Sequence, residues 1–454
     1  MKFKSNATSF LRAKSYLLKN SEFSFFKHLL TLFLCLLLMV VASKTYSQNK
    51  HSKTSNFPSY NGLLMAGYQG WFRAAGDGSN RGWQHYNANG KFDRANISID
   101  MWPDISEYPK TYKTGIKFVD GSDAQLFSSW DISTTELHFK WMKDYGIDGV
   151  FMQRFFGDIR NPDQRKTANV ILKNALEASM KNNRAIAVMY DLSGLKATGE
   201  DCSAIIEDWK QLVDSLKITS HGNNQTYLYH QNKPLVAIWG LGFPDRPYNI
   251  RNIGADRLID FFKNDPKYGG CTVMLGVPNY FRELKIDCVP DTYLHELIKK
   301  ADIVMPWTVQ RFTPLLHADN IRFEDQVKLD IAWCKSKNIE YVPCVYPGFS
   351  WYNLSKVQFG GIHPVAQIPR QKGKFYWDLI SGAINGGSKM LYVAMFDEMD
   401  EATAIFKTTN NKPESEFKLI DNEGMPSDHY LWLTGMASKM LKKQIPFTTG
   451  VPKR

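Results

Sequence analysis

The chain has 454 residues, 43% hydrophobic and 13% aromatic, enough to bury a large core and to exclude a disordered or fibrous protein. Its formal charge of +11 is concentrated at the amino terminus, where residues 1–46 hold seven basic side chains and one acidic. That surplus leaves about +5 dispersed over the remainder, too weak a field to imply nucleic acid as a partner.

A basic, Ser-rich lead is followed by an apolar run over 29–42 and a polar segment over 43–48. About 14 apolar residues fall short of a membrane-spanning helix and fit the core of a signal peptide. Residues 1–47 therefore read as a cleaved signal peptide, 48–61 as a linker and 62–454 as one domain. The expected location is secreted, periplasmic or cell-envelope, as a monomer with no membrane partner once the signal is removed. Five cysteines remain, Cys202, Cys271, Cys288, Cys334 and Cys344. An odd number without a CxxC pair is neither a disulfide framework nor a zinc site.

Eight apolar, β-rich runs follow: 63–72, 149–154, 185–191, 235–239, 272–277, 303–307, 341–346 and 390–396. Helical patterns separate them at 134–145, 163–181, 202–216, 255–263, 292–300, 323–337 and 375–385, and 428–441 closes the chain. This alternation predicts a (β/α)8 barrel, with a doubly wound sheet as the alternative. Two connections are long: 73–133, rich in Gly, Asn, Asp and aromatics, and 347–372. Connections of that length are usually functional, and these two are expected to wall a cleft.

The last run ends in Asp397, Glu398, Asp400 and Glu401. Barrel chemistry sits at the carboxyl ends of the strands, so these acids are the first candidates for a site. Three readings stand open: a pair of glycosidase carboxylates, an oxygen-ligand calcium site, or the amino-terminal cap of a helix. The signatures of nucleotide, zinc-protease and serine-hydrolase chemistry are missing, and no cofactor is expected. Aromatic, amide and guanidinium groups recur at the other strand ends, a lining suited to a sugar. The candidate contacts are Tyr68, Trp71, Trp102, Asp104, Gln153, Arg154, Asp191, Trp307, Tyr346 and Trp351.

The strings Tyr346-Pro-Gly-Phe-Ser-Trp351, Pro369-Arg-Gln-Lys-Gly-Lys-Phe-Tyr376 and Phe396-Asp-Glu-Met-Asp-Glu-Ala-Thr-Ala-Ile405 resemble, in order, the last third of glycoside hydrolases of the family 71 and 99 type. Tyr68-Gln-Gly-Trp71, Met101-Trp-Pro-Asp104 and Pro306-Trp-Thr-Val-Gln-Arg311 are similar to a bacterial 71/99-like group that includes xylosidase- and arabinosidase-labelled proteins. The resemblance implies a barrel hydrolase of the endo-α-mannosidase and mannanase kind. It implies Glu398 as the base that assists a neighbouring 2-hydroxyl, or as nucleophile, and Glu401 as general acid and then base. Asp397, Met399 and Ala402 stand where the family 99 pattern has Asn, Trp and Gly. The expected function is hydrolysis of glycosidic bonds in a mannan, xylan, arabinan or α-glucan. A carbohydrate-binding barrel without catalysis is the alternative.

Overall fold

The apolar runs become parallel strands because each must be covered on both faces, by the barrel interior and by a helix layer. The computed structural model describes residues 27–28, 30–34, 49–87, 92–221, 225–314, 321–361, 363–414, 416 and 418–454. Two units are separated at Asn49. In the first, residues 27–28 and 30–34 are helical and exposed; most of the expected signal peptide lies outside the described residues. Among the described residues no helix is long and apolar enough to cross a membrane.

In the second unit the strands are β1 (Leu64–Tyr68), β2 (Gly149–Phe155), β3 (Ala185–Asp191), β4 (Lys233–Trp239), β5 (Thr272–Pro278), β6 (Ile303–Trp307), β7 in two pieces (Glu340–Tyr341 and Cys344–Val345) and β8 (Leu391–Val393). The helices that follow them in turn are α1 (Ile132–Tyr145), α2 (Pro162–Asn182), α3 (Ser203–Gln211), α4 (Ala255–Asn264), α5 (Tyr293–Lys300), α6 (Phe323–Ser336), α7 (Lys374–Asn385) and α8 (His429–Leu441). Every neighbouring pair in the ring is parallel. The alternation expected from the sequence is thus the barrel. Local signals set the helix ends. Asn161 caps α2, accepting from Asp163 N and Gln164 N at 3.0 and 3.2 Å with Pro162 in the first turn.

The ring closes through β7. Pro343 has no N–H to donate, so the strand changes partner there. Before it Glu340 and Tyr341 pair with β6; after it Cys344 and Val345 pair with β8. Leu64 on β1 faces Leu391 on β8 and completes the circle.

Residues 50–61, read in the sequence as a linker, lie against the segments that lead into β4 and β5. Asn56 N donates to Gln225 O at 2.8 Å, His51 Nδ1 lies 2.8 Å from Thr219 Oγ1, and Tyr60 is fully buried. The five cysteines are buried free thiols.

The long β1–α1 connection carries a hairpin, Tyr112–Lys117 with Asp123–Leu126, which the sequence pattern did not reveal. The two long connections also bond each other. Asp100 accepts from Tyr352 N at 2.9 Å and Asn353 N at 2.8 Å, and from Ser350 Oγ, so it fixes the start of the short helix Tyr352–Phe359.

Candidate active site

Beyond β8 the chain turns sharply, with Phe396 N donating to Gly67 O at 2.7 Å and Ala404 N to Glu398 O at 2.8 Å. The four acids therefore point in different directions. Asp397 turns toward β1 and accepts Gln69 N and Gly70 N, both at 2.8 Å. That tie holds the ends of the first and last strands together, and burial pushes the Asp397 carboxyl up to about 7 against the pull of these two donors. Asp400 turns toward the β1–α1 connection, where His85 Nδ1 lies 3.3 Å from its Oδ2. Among the described residues no group of three or more His, Cys, Asp or Glu side chains is placed to hold a metal ion.

Glu398 and Glu401 remain, and both line a cleft of about 840 Å³ at the carboxyl ends of the strands. Glu398 is 5% exposed and accepts Gln69 Nε2 at 2.8 Å. Burial raises its pKa well above the usual carboxyl range, and the charges of Glu401 and Asp400 raise it further. Glu401 keeps part of its surface open to the cleft. Enough protein surrounds it that burial still raises its carboxyl, with Asp400 adding to the effect and the Arg246 guanidinium opposing it. Like charges this close cannot ionise together cheaply, so the pair sheds its protons in two steps. One group is then still an acid when the other is already a base.

The remainder of the lining is aromatic and polar. Trp71, Phe155, Trp239, Phe243, Trp307 and Trp351 share the cleft with Gln69, Gln153 and Asp191. Trp239 and Trp307 meet edge to face at 5.3 Å, and the Arg246 guanidinium lies 5.1 Å from the Trp239 ring. Gly276, next to Trp239 on β5, leaves the space that its indole occupies. On the floor, Gln153 Nε2 donates to Tyr392 Oη at 3.1 Å.

Of the sequence candidates, Trp71, Gln153, Asp191, Trp307, Trp351, Glu398 and Glu401 converge on this cleft. Tyr68, Trp102, Asp104, Arg154 and Tyr346 do not, and strand parity explains part of the difference, since alternate residues face opposite sides. Gln153 faces inward, so Arg154 faces the helices. There it is 2% exposed and pairs with Asp208 of α3, Nε to Oδ2 at 2.8 Å and Nη2 to Oδ1 at 2.5 Å. Tyr68 is likewise buried outside the barrel, its hydroxyl 2.9 Å from His138 Nδ1. Tyr346 donates to Phe312 O at 2.6 Å. Trp102 packs between Phe92 and Phe118, and Asp104 accepts Ser106 N at 3.0 Å in an outer turn.

Gln69, Trp239 and Arg246 also line the cleft. Gln69 and Trp239 stood at strand ends, where a stricter parity argument finds them. Arg246 lies in the loop after β4 and carried no sequence signal.

No family model matches the chain, and no curated protein matches it. Among solved structures, it is similar to the GH99 endo-α-mannosidase from Bacteroides thetaiotaomicron in complex with bis-tris-propane. That likeness covers 85% of this chain and 98% of that one, with a TM-score of 0.58 and 15% identity. A second structure of that enzyme gives the same score and identity over 84% and 98%. The chain has their barrel fold. At this identity the likeness speaks for architecture, and the chemistry rests on the residues of the cleft.

Proposed function

We propose that the chain is an exported glycoside hydrolase that cleaves glycosidic bonds in a polysaccharide or oligosaccharide. The observation that carries this reading is that Glu398 and Glu401 line one aromatic cleft; burial and nearby acids raise both carboxyls. Glu401, open to the cleft, is the general acid and then base. Glu398, held by the Gln69 amide, is the assisting base or nucleophile. The lining stacks against the C–H faces of sugar rings, and its amides and carboxylates take their hydroxyls. The barrel's likeness to a GH99 endo-α-mannosidase supports a glycan substrate, and the short apolar run near the amino terminus supports export.

The test is product sizing after incubation with mannans, xylans, arabinans and α-glucans, beside Glu401→Gln. The variant has the same shape and cannot give up the proton. Products from the unmodified enzyme alone are expected. Products from both proteins would remove Glu401 from the chemistry, and none from either would favour a barrel that binds glycans without cleaving them.

A further inference from the structure

His85 lies on the β1–α1 connection and is fixed by backbone pairing on both sides. Arg73 N donates to Gln84 O at 3.2 Å and Gln84 N to Arg73 O at 3.1 Å; Ser98 N donates to Tyr86 O at 3.1 Å and Ser98 Oγ to His85 O at 2.8 Å. Its φ of +61° is left-handed, a conformation histidine enters more readily than branched residues do. One ring so placed makes two contacts. Its face covers the Trp71 indole, with centroids 3.9 Å apart and planes within 6°. Its edge presents Nδ1 to Asp400, 3.3 Å from Oδ2. Trp71 stacks in turn on Phe155 at 5.2 Å, and both line the cleft. Asp400 has a side chain 2% exposed and belongs to the charges that raise Glu398 and Glu401.

We propose that His85 is a positioning residue that joins the sugar platform to the acid/base pair. Its ring clamps Trp71, and Nδ1–H donates to Asp400 and offsets part of that carboxylate's charge beside the two glutamates. The proposal rests on the glycosidase reading. Arg73, Arg81 and Asp158 share a small cavity with His85, and Asp397 and Asp100 lie within electrostatic reach of Asp400. Removing the donor makes the acidic cluster hold its protons to higher pH, whichever member retains them; removing the Asp400 charge does the reverse.

Two substitutions separate the two contacts. His85→Phe keeps a flat ring on Trp71 and removes the nitrogen. His85→Asn keeps a donor near the Nδ1 position and removes the ring. In His85→Phe both limbs of the kcat against pH profile are expected to move up by about one pH unit, the low end of what a neighbouring charge does, with KM unchanged. In His85→Asn the limbs stay and KM rises about tenfold, the loss expected of one stacked platform. Asp400→Asn moves both limbs down. A structural role alone would lower thermal stability in both His85 variants and leave limbs and KM where they were, and that result overturns the proposal.

The Nδ1–H resonance of His85, followed by proton NMR in the unmodified protein and in Asp400→Ala, gives a readout independent of turnover. It is expected to be protected from solvent exchange only while Asp400 accepts it. Equal exchange in the two proteins overturns the pairing even if no glycan is cleaved. Lost protection in a protein that cleaves nothing removes the glycosidase reading and overturns the positioning role with it, leaving a structural hydrogen bond.

Discussion

Glu401→Gln is expected to abolish turnover and to stabilise the fold, with the gain confined to neutral and alkaline pH. The Glu401 carboxyl is raised from 4.5 to about 8 in the folded chain, first by burial and then by Asp400. Below about pH 4 it is protonated whether the chain is folded or not, and it leaves stability untouched. Between 4.5 and 8 the unfolded chain ionises first, so stability falls as pH rises through that window. One pKa unit is worth about 1.4 kcal/mol, so at pH 7 the neutral acid costs the fold on the order of 2–3 kcal/mol, after discount for its open side. Glutamine has no proton to lose and escapes this penalty. Urea unfolding followed by tryptophan fluorescence, at pH 5 and at pH 8, reads the difference. The variant should gain about 3 kcal/mol at pH 8 and little at pH 5, while turnover drops by at least ~10²-fold. Equal changes at the two pH values, or a loss at pH 8, would refute the claim that this carboxyl is strained.

Three further outcomes follow from the same geometry. Asp208→Asn leaves the Arg154 guanidinium buried without its counter-charge and should destabilise the fold by about 3–5 kcal/mol while KM stays put; a loss under about 1 kcal/mol in denaturant unfolding would show that the pair is not desolvated. Trp307→Ala removes one of the paired rings of the cleft and should raise KM about tenfold with kcat less affected, as initial-rate kinetics would reveal. Gln69→Ala withdraws the amide that stabilises ionised Glu398 and should move the acidic limb of kcat/KM to higher pH, because the carboxyl then keeps its proton longer.

The barrel was legible in the chain because parallel strands buried on both faces leave long apolar runs, and amphipathic helices leave stripes between them. What periodicity leaves open is parity. Gln153 and Arg154 are both polar and adjacent at the end of β2, and only the placement of Asp208 on α3, 54 residues later, decides that the arginine turns outward. Tyr190, next to Asp191, turns outward for the same reason and bonds the same carboxylate at 2.8 Å. The glutamates stood out because acids at the end of a fully apolar strand are unusual in a core, and the structure places both on the cleft. Asp397 looked the same in sequence and serves a different end, as an acceptor for two backbone amides. Arg246 was invisible because a loop arginine is ordinary until the fold sets it over Trp239. Residues 341–346 read as one run in the sequence, and the structure divides them at Pro343, because a proline cannot donate in the middle of a sheet.

The seam between β1 and β8 sets when the site comes into being. Asp397 and Glu398 are held by Gln69 and Gly70, more than 320 residues earlier in the chain. Glu398 therefore gains its amide partner only when the last strand has docked on the first. A nascent chain carries Trp71, Gln153 and Trp239 of the cleft early and lacks both glutamates until its final quarter arrives. On the proposed glycosidase reading, competence is in that sense a report of completion: partly made or clipped chains would hold the cleft's aromatic lining without its paired carboxyls.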